Sequence, residues 1–238
     1  MAFAIGDPLN QRLKRVPVWP LYAVALIPAA WAWWQALSGQ AGPNPVRALE
    51  HGLGIWAFRF MIAALIVTPL RDWTGISLLR FRRMLGLTAF WYALMHLGVW
   101  LALDRQFDWN AILGDLVKRP YIIVGMLSFL ALLPMAITST DGMIRRLGAQ
   151  AWNKLHRLAY PAAVLMVLHY LWLVKSWTAE PLSYAAIMTF LLAIRLLPNL
   201  LPEVGTSCGA GVHCRKCTIS QSRARKVPRK AMWRAVFV

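Results

Sequence analysis

The sequence predicts an all-α, polytopic membrane protein built as a bundle of six transmembrane helices, and three observations lead there. Of its 238 residues, 59% are apolar and only 15% are charged, against about a quarter charged in an ordinary soluble domain. The charges are lopsided, with 26 Lys and Arg against nine Asp and Glu, for a formal net charge of +17. A disordered tail that binds nucleic acid would be as basic but poor in apolar residues. A bilayer reconciles the two properties, because apolar residues fill the spans while cations collect in the loops of one side. Thirteen Trp complete the case, since indole favours the membrane interface.

In chain order, residues 1–17 read as a cytoplasmic leader, 18–198 as the transmembrane domain and 199–238 as a basic cytoplasmic tail. Six long apolar windows lie in the domain: Val18 to Leu37, Gly52 to Leu70, Met84 to Leu103, Tyr121 to Ser139, His156 to Val174 and Leu182 to Pro198. At a helical rise of about 1.5 Å per residue each covers roughly 25 to 30 Å, enough to cross a hydrocarbon core. Only helices satisfy their own backbone groups there. The first window is preceded by seventeen residues, is as long as a true span and lacks an obvious small-x-small cleavage site before the next one, so it is expected to remain as a span rather than be removed as a signal.

Cations set the direction of threading. The leader holds Arg12, Lys14 and Arg15, the second connection Arg71, Arg80, Arg82 and Arg83, and the fourth Arg145, Arg146 and Lys154. The alternate connections hold Arg47, then Arg105, Lys118 and Arg119 offset by Asp104, Asp108 and Asp115, then Lys175. This asymmetry places both termini in the cytoplasm. Trp31, Trp33, Trp34, Trp100, Trp109, Trp172 and Trp177 all fall at the ends expected to face outward.

The chain carries neither a G-x-G-x-x-G dinucleotide fingerprint nor a phosphate-binding G-x-x-x-x-G-K-[ST] loop, and its acids lie almost wholly in loops. Chemistry therefore falls to the histidines. Of five, His96, His156 and His169 sit in or at the edge of windows, where a polar side chain is costly and marks a functional site by default. The bland alternative is a histidine bonded to a carbonyl of a neighbouring helix. Windows three and five run in the same direction, and His96 follows Arg83 by thirteen residues just as His169 follows His156 by thirteen. Both imidazoles then lie about 20 Å above the cytoplasmic edge. Two imidazoles at one depth on two helices suit a planar cofactor held between them, as haem iron is by axial histidines, whereas zinc would want three or four ligands. His156 stands at the inner edge beside Lys154 and Arg157. On an ideal helix it would lie about 220° around the axis from His169, although Pro161 between them can bend the segment. His51 and His213 fall in loop and tail.

The stretch Arg82-Arg83-Met84-Leu85-Gly86-Leu87 with Phe90, Tyr92, His96 and Asp104 resembles the MsrQ (YedZ) family. So do Lys118-Arg119-Pro120-Tyr121, Thr138-Ser139, Leu147-Gly148, Trp152, Leu155-His156-Arg157-Leu158, Tyr160 and His169. The likeness covers nearly all of residues 10–200, and more broadly the chain resembles the ferric-reductase and NADPH-oxidase transmembrane domain. The resemblance implies a six-helix b-type cytochrome of the bacterial inner membrane. It would pass electrons outward to a periplasmic molybdopterin methionine-sulfoxide reductase subunit, MsrP, which restores oxidised methionine in periplasmic proteins. Carried over residue by residue, it makes His96, His156 and His169 candidates for binding haem b, with His96 and His169 as axial ligands. It also implies FMN, whose site these residues do not locate, and a donor that is either the quinone pool or a separate cytoplasmic flavin reductase. Relatives with two stacked haems carry a second histidine lower on the helix of His96, where this chain has Arg82 and Arg83, so the resemblance leaves the haem number open.

Two further clusters invite ligands. Arg71, Arg80, Arg82 and Arg83 would attract a quinone headgroup, a flavin phosphate or a donor protein, although topology and anionic lipid account for them more simply. Cys208, His213, Cys214 and Cys217 are compact but poorly spaced for a tetrahedral ion. Eight of the 26 cations and none of the nine acids follow residue 205. With a bilayer a few residues away, anionic lipid rather than nucleic acid is the expected partner of that tail. The expectation is thus an electron-transfer subunit rather than a catalytic one. Its rivals are a proton-coupled transporter with histidine relays and a structural anchor for a partner.

Overall fold

A computed structural model describes residues 6–174 and 178–200. Trp177, Lys175 and the cysteine-containing tail fall outside these residues. Every regular element among them is helical: α1 (Gly6–Arg15), α2 (Trp19–Leu37), α3 (Pro45–Thr74), α4 (Leu79–Val99), α5 (Trp109–Lys118), α6 (Pro120–Ile137), α7 (Asp141–Leu155), α8 (Ala159–Leu173) and α9 (Ala179–Leu200). A π-helical turn, Trp100–Asp104, continues α4, and a 3-10 turn, His156–Leu158, leads into α8. Contacts cluster into one unit, Met1–Ala193, which contains all the packing described below; Ile194–Val238 forms a second unit.

Caps, not hydropathy, set the helix ends. The second window spans Gly52 to Leu70, yet α3 runs for 30 residues, about 45 Å. It begins at Asn44, whose side chain accepts the Arg47 N–H, with Pro45 in the first turn, and stops at Gly75, where φ is 74° and the N–H donates to the Arg71 carbonyl. Capping also builds helices inside two expected connections. Asp108 accepts the N–H groups of Asn110 and Ala111 to start α5, and Thr140 accepts that of Met143 to start α7. Gly148, at φ 75° and ψ 157°, breaks α7 midway.

Three helices among the described residues are long and apolar enough to cross a membrane: Pro45–Thr74, Leu79–Asp104 and Pro120–Ile137. In α2 the Trp, Tyr and Gln residues dilute the apolar run, and α8 has only 15 residues. The fifth window starts at His156, but α8 starts at Ala159, with Pro161 in its first turn. There a missing N–H leaves no bond unmade, so Pro161 opens α8 instead of bending its interior. Leu26, Ile27, Trp31 and Trp34 of α2 and Leu127 and Leu130 of α6 point outward, as apolar side chains do when the solvent is lipid.

The core lies where α3 meets α4 and α6 meets α8. Phe58, Met61 and Leu65 of α3 pack with Ala89 and Phe90 of α4, Leu132 of α6, and Ala162 and Ala163 of α8. Small side chains let α8 come close to α6, and the buried Ser128 hydroxyl donates to the Ala162 carbonyl at 2.9 Å. Tyr92 ties α4 to α2. Its hydroxyl donates to the Ala25 carbonyl at 2.6 Å and accepts the Ala29 N–H at 3.0 Å, bridging two backbone groups of α2 beside Pro28. On the opposite side Asn10 of α1 donates to the Gly75 carbonyl and accepts the Ser77 N–H, fastening the leader to the α3–α4 connection.

Candidate functional site

His96 on α4 and His169 on α8 meet inside the unit, with ring centroids 6.3 Å apart and planes at 80°. The matched depth read from the cationic edges is therefore accompanied by a facing arrangement, which counting alone does not supply. Each ring is also fastened on its far side to a third and fourth helix. His96 donates from Nδ1 to the Glu50 carbonyl of α3 at 2.8 Å, and His169 donates from Nδ1 to the Tyr121 carbonyl of α6 at 2.7 Å. A carbonyl can only accept, so Nδ1 carries the proton in both rings and Nε2 of each neutral ring keeps its lone pair. This is the state in which an imidazole ligates a metal, with its other nitrogen held by a carbonyl. Both rings are half-buried.

The donor set fits haem iron. Among the described residues no group of three or more His, Cys, Asp or Glu converges, so a tetrahedral ion lacks its ligands. A porphyrin brings four equatorial nitrogens and asks the protein for only two more. Metal–imidazole bonds of about 2.0 Å, with about 1.1 Å more from nitrogen to ring centre, would put the centres of two imidazoles sharing one metal about 6.2 Å apart, close to the 6.3 Å between these centroids.

The remaining histidines have other surroundings. His156 lies on the 3-10 turn before α8, stacked on Trp152 at 3.7 Å between centroids and 27° between planes. Its Nδ1 is 3.1 Å from the Trp152 carbonyl, four residues back on its own segment. Trp152 in turn donates from Nε1 to the Thr138 carbonyl at 3.1 Å. The structure does not bring His156 to the pair. His51 is exposed, its ring 6.2 Å from that of Tyr170, and His213 is outside the described residues.

In the basic cluster between α3 and α4, Arg71 bonds Asp72 at 2.9 Å, and Arg83 bonds Asp141 at the start of α7. The Arg83 guanidinium holds the Asp141 carboxyl below its usual range, first by the hydrogen bond and then by its charge. On the other side of the bundle the acids that dilute the cations form a network, in which Arg105 reaches Asp115 at 2.7 Å and Asp104 at 3.2 Å, and Arg119 lies 3.5 Å from Asp115.

Sequence reasoning passed over Arg59, although a lone cation inside an apolar window is a readable signal. Its Nε donates to the Tyr184 hydroxyl at 2.6 Å, and its guanidinium lies 4.7 Å from the Trp56 ring centre, a cation–π contact. Reasoning from side-chain chemistry also passed over Glu50 and Tyr121, which act through their carbonyls.

Residues 53–167 match the ferric reductase like transmembrane component. The chain is 48% identical over 180 residues to the protein-methionine-sulfoxide reductase heme-binding subunit MsrQ of Brucella anthropi, covering 76% of this chain and 81% of that relative. It is 49% identical over 202 residues to the subunit of the same name from Brucella ovis, covering 82% and 90%; the Brucella melitensis protein matches equally. With its two facing histidines inside the bundle that this likeness covers, the chain belongs to the MsrQ family of heme-binding subunits of protein-methionine-sulfoxide reductase.

Proposed function

We propose that this chain is a membrane electron-transfer subunit that holds haem b between His96 and His169 and serves a methionine-sulfoxide reductase. The observation that carries the proposal is the pair of imidazoles 6.3 Å apart, each with Nδ1 bonded to a carbonyl of another helix. When bound, the haem supplies a one-electron redox centre in an apolar setting. His96 and His169 bind and orient it, and the Glu50 and Tyr121 carbonyls hold the proton of each ring on Nδ1. The packed α3–α4 and α6–α8 pairs exclude water from its surroundings. His156, stacked on Trp152 near the arginines of the inner side, is the candidate contact for a cofactor at that level.

The finer assignments extend this reading. The transmembrane domain spans residues 18–198 with six crossings, and both termini lie in the cytoplasm of a bacterial inner membrane, with the tail from 199 against anionic lipid. Electrons come from the quinone pool or a cytoplasmic flavin reductase, with FMN as a second cofactor, and leave to the periplasmic molybdopterin subunit MsrP. Reduction of one methionine sulfoxide to methionine and water consumes two electrons and two protons, so a one-electron carrier must act twice for each repair.

A reduced-minus-oxidised optical spectrum of the purified protein tests the proposal. A low-spin b-type spectrum that His96→Ala and His169→Ala each greatly weaken is expected. Full haem content in both variants would remove the ligand assignment. Absence of stoichiometric haem together with pH-dependent flux in vesicles would instead support a proton-coupled transporter, and histidine variants that still sustain the partner's activity would support a structural anchor.

A further inference from the structure

A ring that bonds a helix carbonyl from the side must find that carbonyl uncovered, and in an α-helix it normally is not. The carbonyl of residue i lies beside the side chain of residue i+4, because each Cα–Cβ bond leans toward the helix N-terminus. This chain shows the crowding three times. The hydroxyls of Thr74, Thr138 and Ser139 bond the carbonyls of Leu70, Pro134 and Met135, each four residues back. At both imidazole anchors the residue in that covering position is glycine: Gly54 follows Glu50 by four on α3, and Gly125 follows Tyr121 by four on α6. A Cβ on Gly125 would stand 2.7 Å from His169 Nδ1 and 2.8 Å from its Cε1. One on Gly54 would stand 3.2 and 3.3 Å from the same atoms of His96. By contrast Gly86 and Gly98 of α4 have open space where a Cβ would go.

We infer that Gly54 and Gly125 are paired positioning residues: each uncovers the carbonyl that fixes one imidazole, and together they set the orientation and donor strength of both haem ligands. The inference rests on the two-histidine haem reading above. The two half-sites use one device, a glycine on one helix receiving a histidine from a helix packed against it, with α3 serving α4 and α6 serving α8. Losing the bond from Nδ1–H to the carbonyl makes the imidazole a poorer donor to the metal. Ferric iron loses more from that than ferrous iron, so the reduction potential rises. At Gly125 a methyl group forces the ring to move. At Gly54 a displacement of a few tenths of an ångström relieves the contact, so the effect there is smaller.

The test uses the full-length protein, purified with its haem, as Gly125→Ala, Gly54→Ala, the control Gly98→Ala, and His96→Ala and His169→Ala. The readouts are the haem-to-protein ratio, the ferric low-spin electron paramagnetic resonance signal and the midpoint potential. Gly125→Ala is expected to shift the resonance and raise the potential by at least a tenfold change in ferric-over-ferrous preference, about 59 mV for one electron. The shift for Gly54→Ala should be smaller and in the same direction, and Gly98→Ala should match the parent protein. If the histidine variants lose haem while Gly125→Ala and Gly54→Ala match Gly98→Ala in resonance and potential, the positioning role is wrong and the ligand reading stands. If the histidine variants keep their haem, both fall. Should Gly125→Ala fail to accumulate, Gly54→Ala decides by the same criterion, because its tighter but tolerable contact leaves the fold intact.

Discussion

The facing pair of histidines and the lone His156 are held in opposite ways. His96 and His169 are each bonded to a carbonyl on a helix other than their own. His156 lies against the carbonyl and ring of Trp152 on its own segment. A ring fixed across helices is oriented only when the bundle is assembled, and its free nitrogen is then directed by tertiary structure. A ring fixed within one segment is oriented by local geometry alone. His156 also turns Nδ1 to a carbonyl, but only His96 and His169 face one another, so their level is where a shared ligand is best provided for.

The sharpest way to break this comparison is to remove the rings. His96→Ala and His169→Ala are each expected to lower haem content by tenfold or more, read from the pyridine haemochrome of purified protein. His156→Ala is expected to leave the signal of the outer pair intact and to remove at most the haem at the inner level. Complete loss of haem in that variant would erase the distinction between the two levels.

Smaller effects test the frame around each level. Tyr92 sits one turn before His96, and Tyr92→Phe strips the bridge between the Ala25 carbonyl and the Ala29 N–H. Two backbone groups of the buried Ala25 and Ala29 then lose this partner, at a cost of about 1 to 3 kcal/mol, measurable as a lower melting temperature in detergent. The inner level is framed more weakly, by the exposed Arg83–Asp141 pair. Screening by water limits its contribution to less than about 1 kcal/mol. Because the folded-state pKa of Asp141 lies below its ordinary value of 3.8, the contribution is fully present above that value and lost as pH falls through the lowered one. Melting curves of the parent and Asp141→Asn should therefore differ slightly at neutral pH and converge in acid. A gap that widened in acid would contradict the pairing.

Much of the site is legible in the sequence alone. The helical rise and the cationic edge are both regular, so counting from Arg83 and from His156 suffices to set His96 and His169 at one depth. Azimuth is not legible. It depends on where each helix starts and how it packs, and Pro161 opens α8 where a bend within the span is expected. The ends of α3 escape for a related reason: hydropathy reports where lipid contact ends, while Asn44 and Gly75 report where hydrogen bonding ends, and the two differ by more than a turn at the outer side. The helices α5 and α7 are hidden inside polar connections, although Asp108 and Thr140 signal their starts. Arg59 is visible as a charge within an apolar window, yet its hydrogen-bond partner is Tyr184, far along the chain. Gly54 and Gly125 are not recognisable at all, because a glycine in an apolar window has no chemistry until a neighbour's ring is seen against it.

Fastening a ligand to the main chain has an evolutionary consequence. No substitution at position 50 or 121 can delete a carbonyl, so drift at Glu50 and Tyr121 can proceed without unfastening either imidazole. The selective pressure is displaced four positions along the helix, onto residues that touch no electron and contribute no functional group.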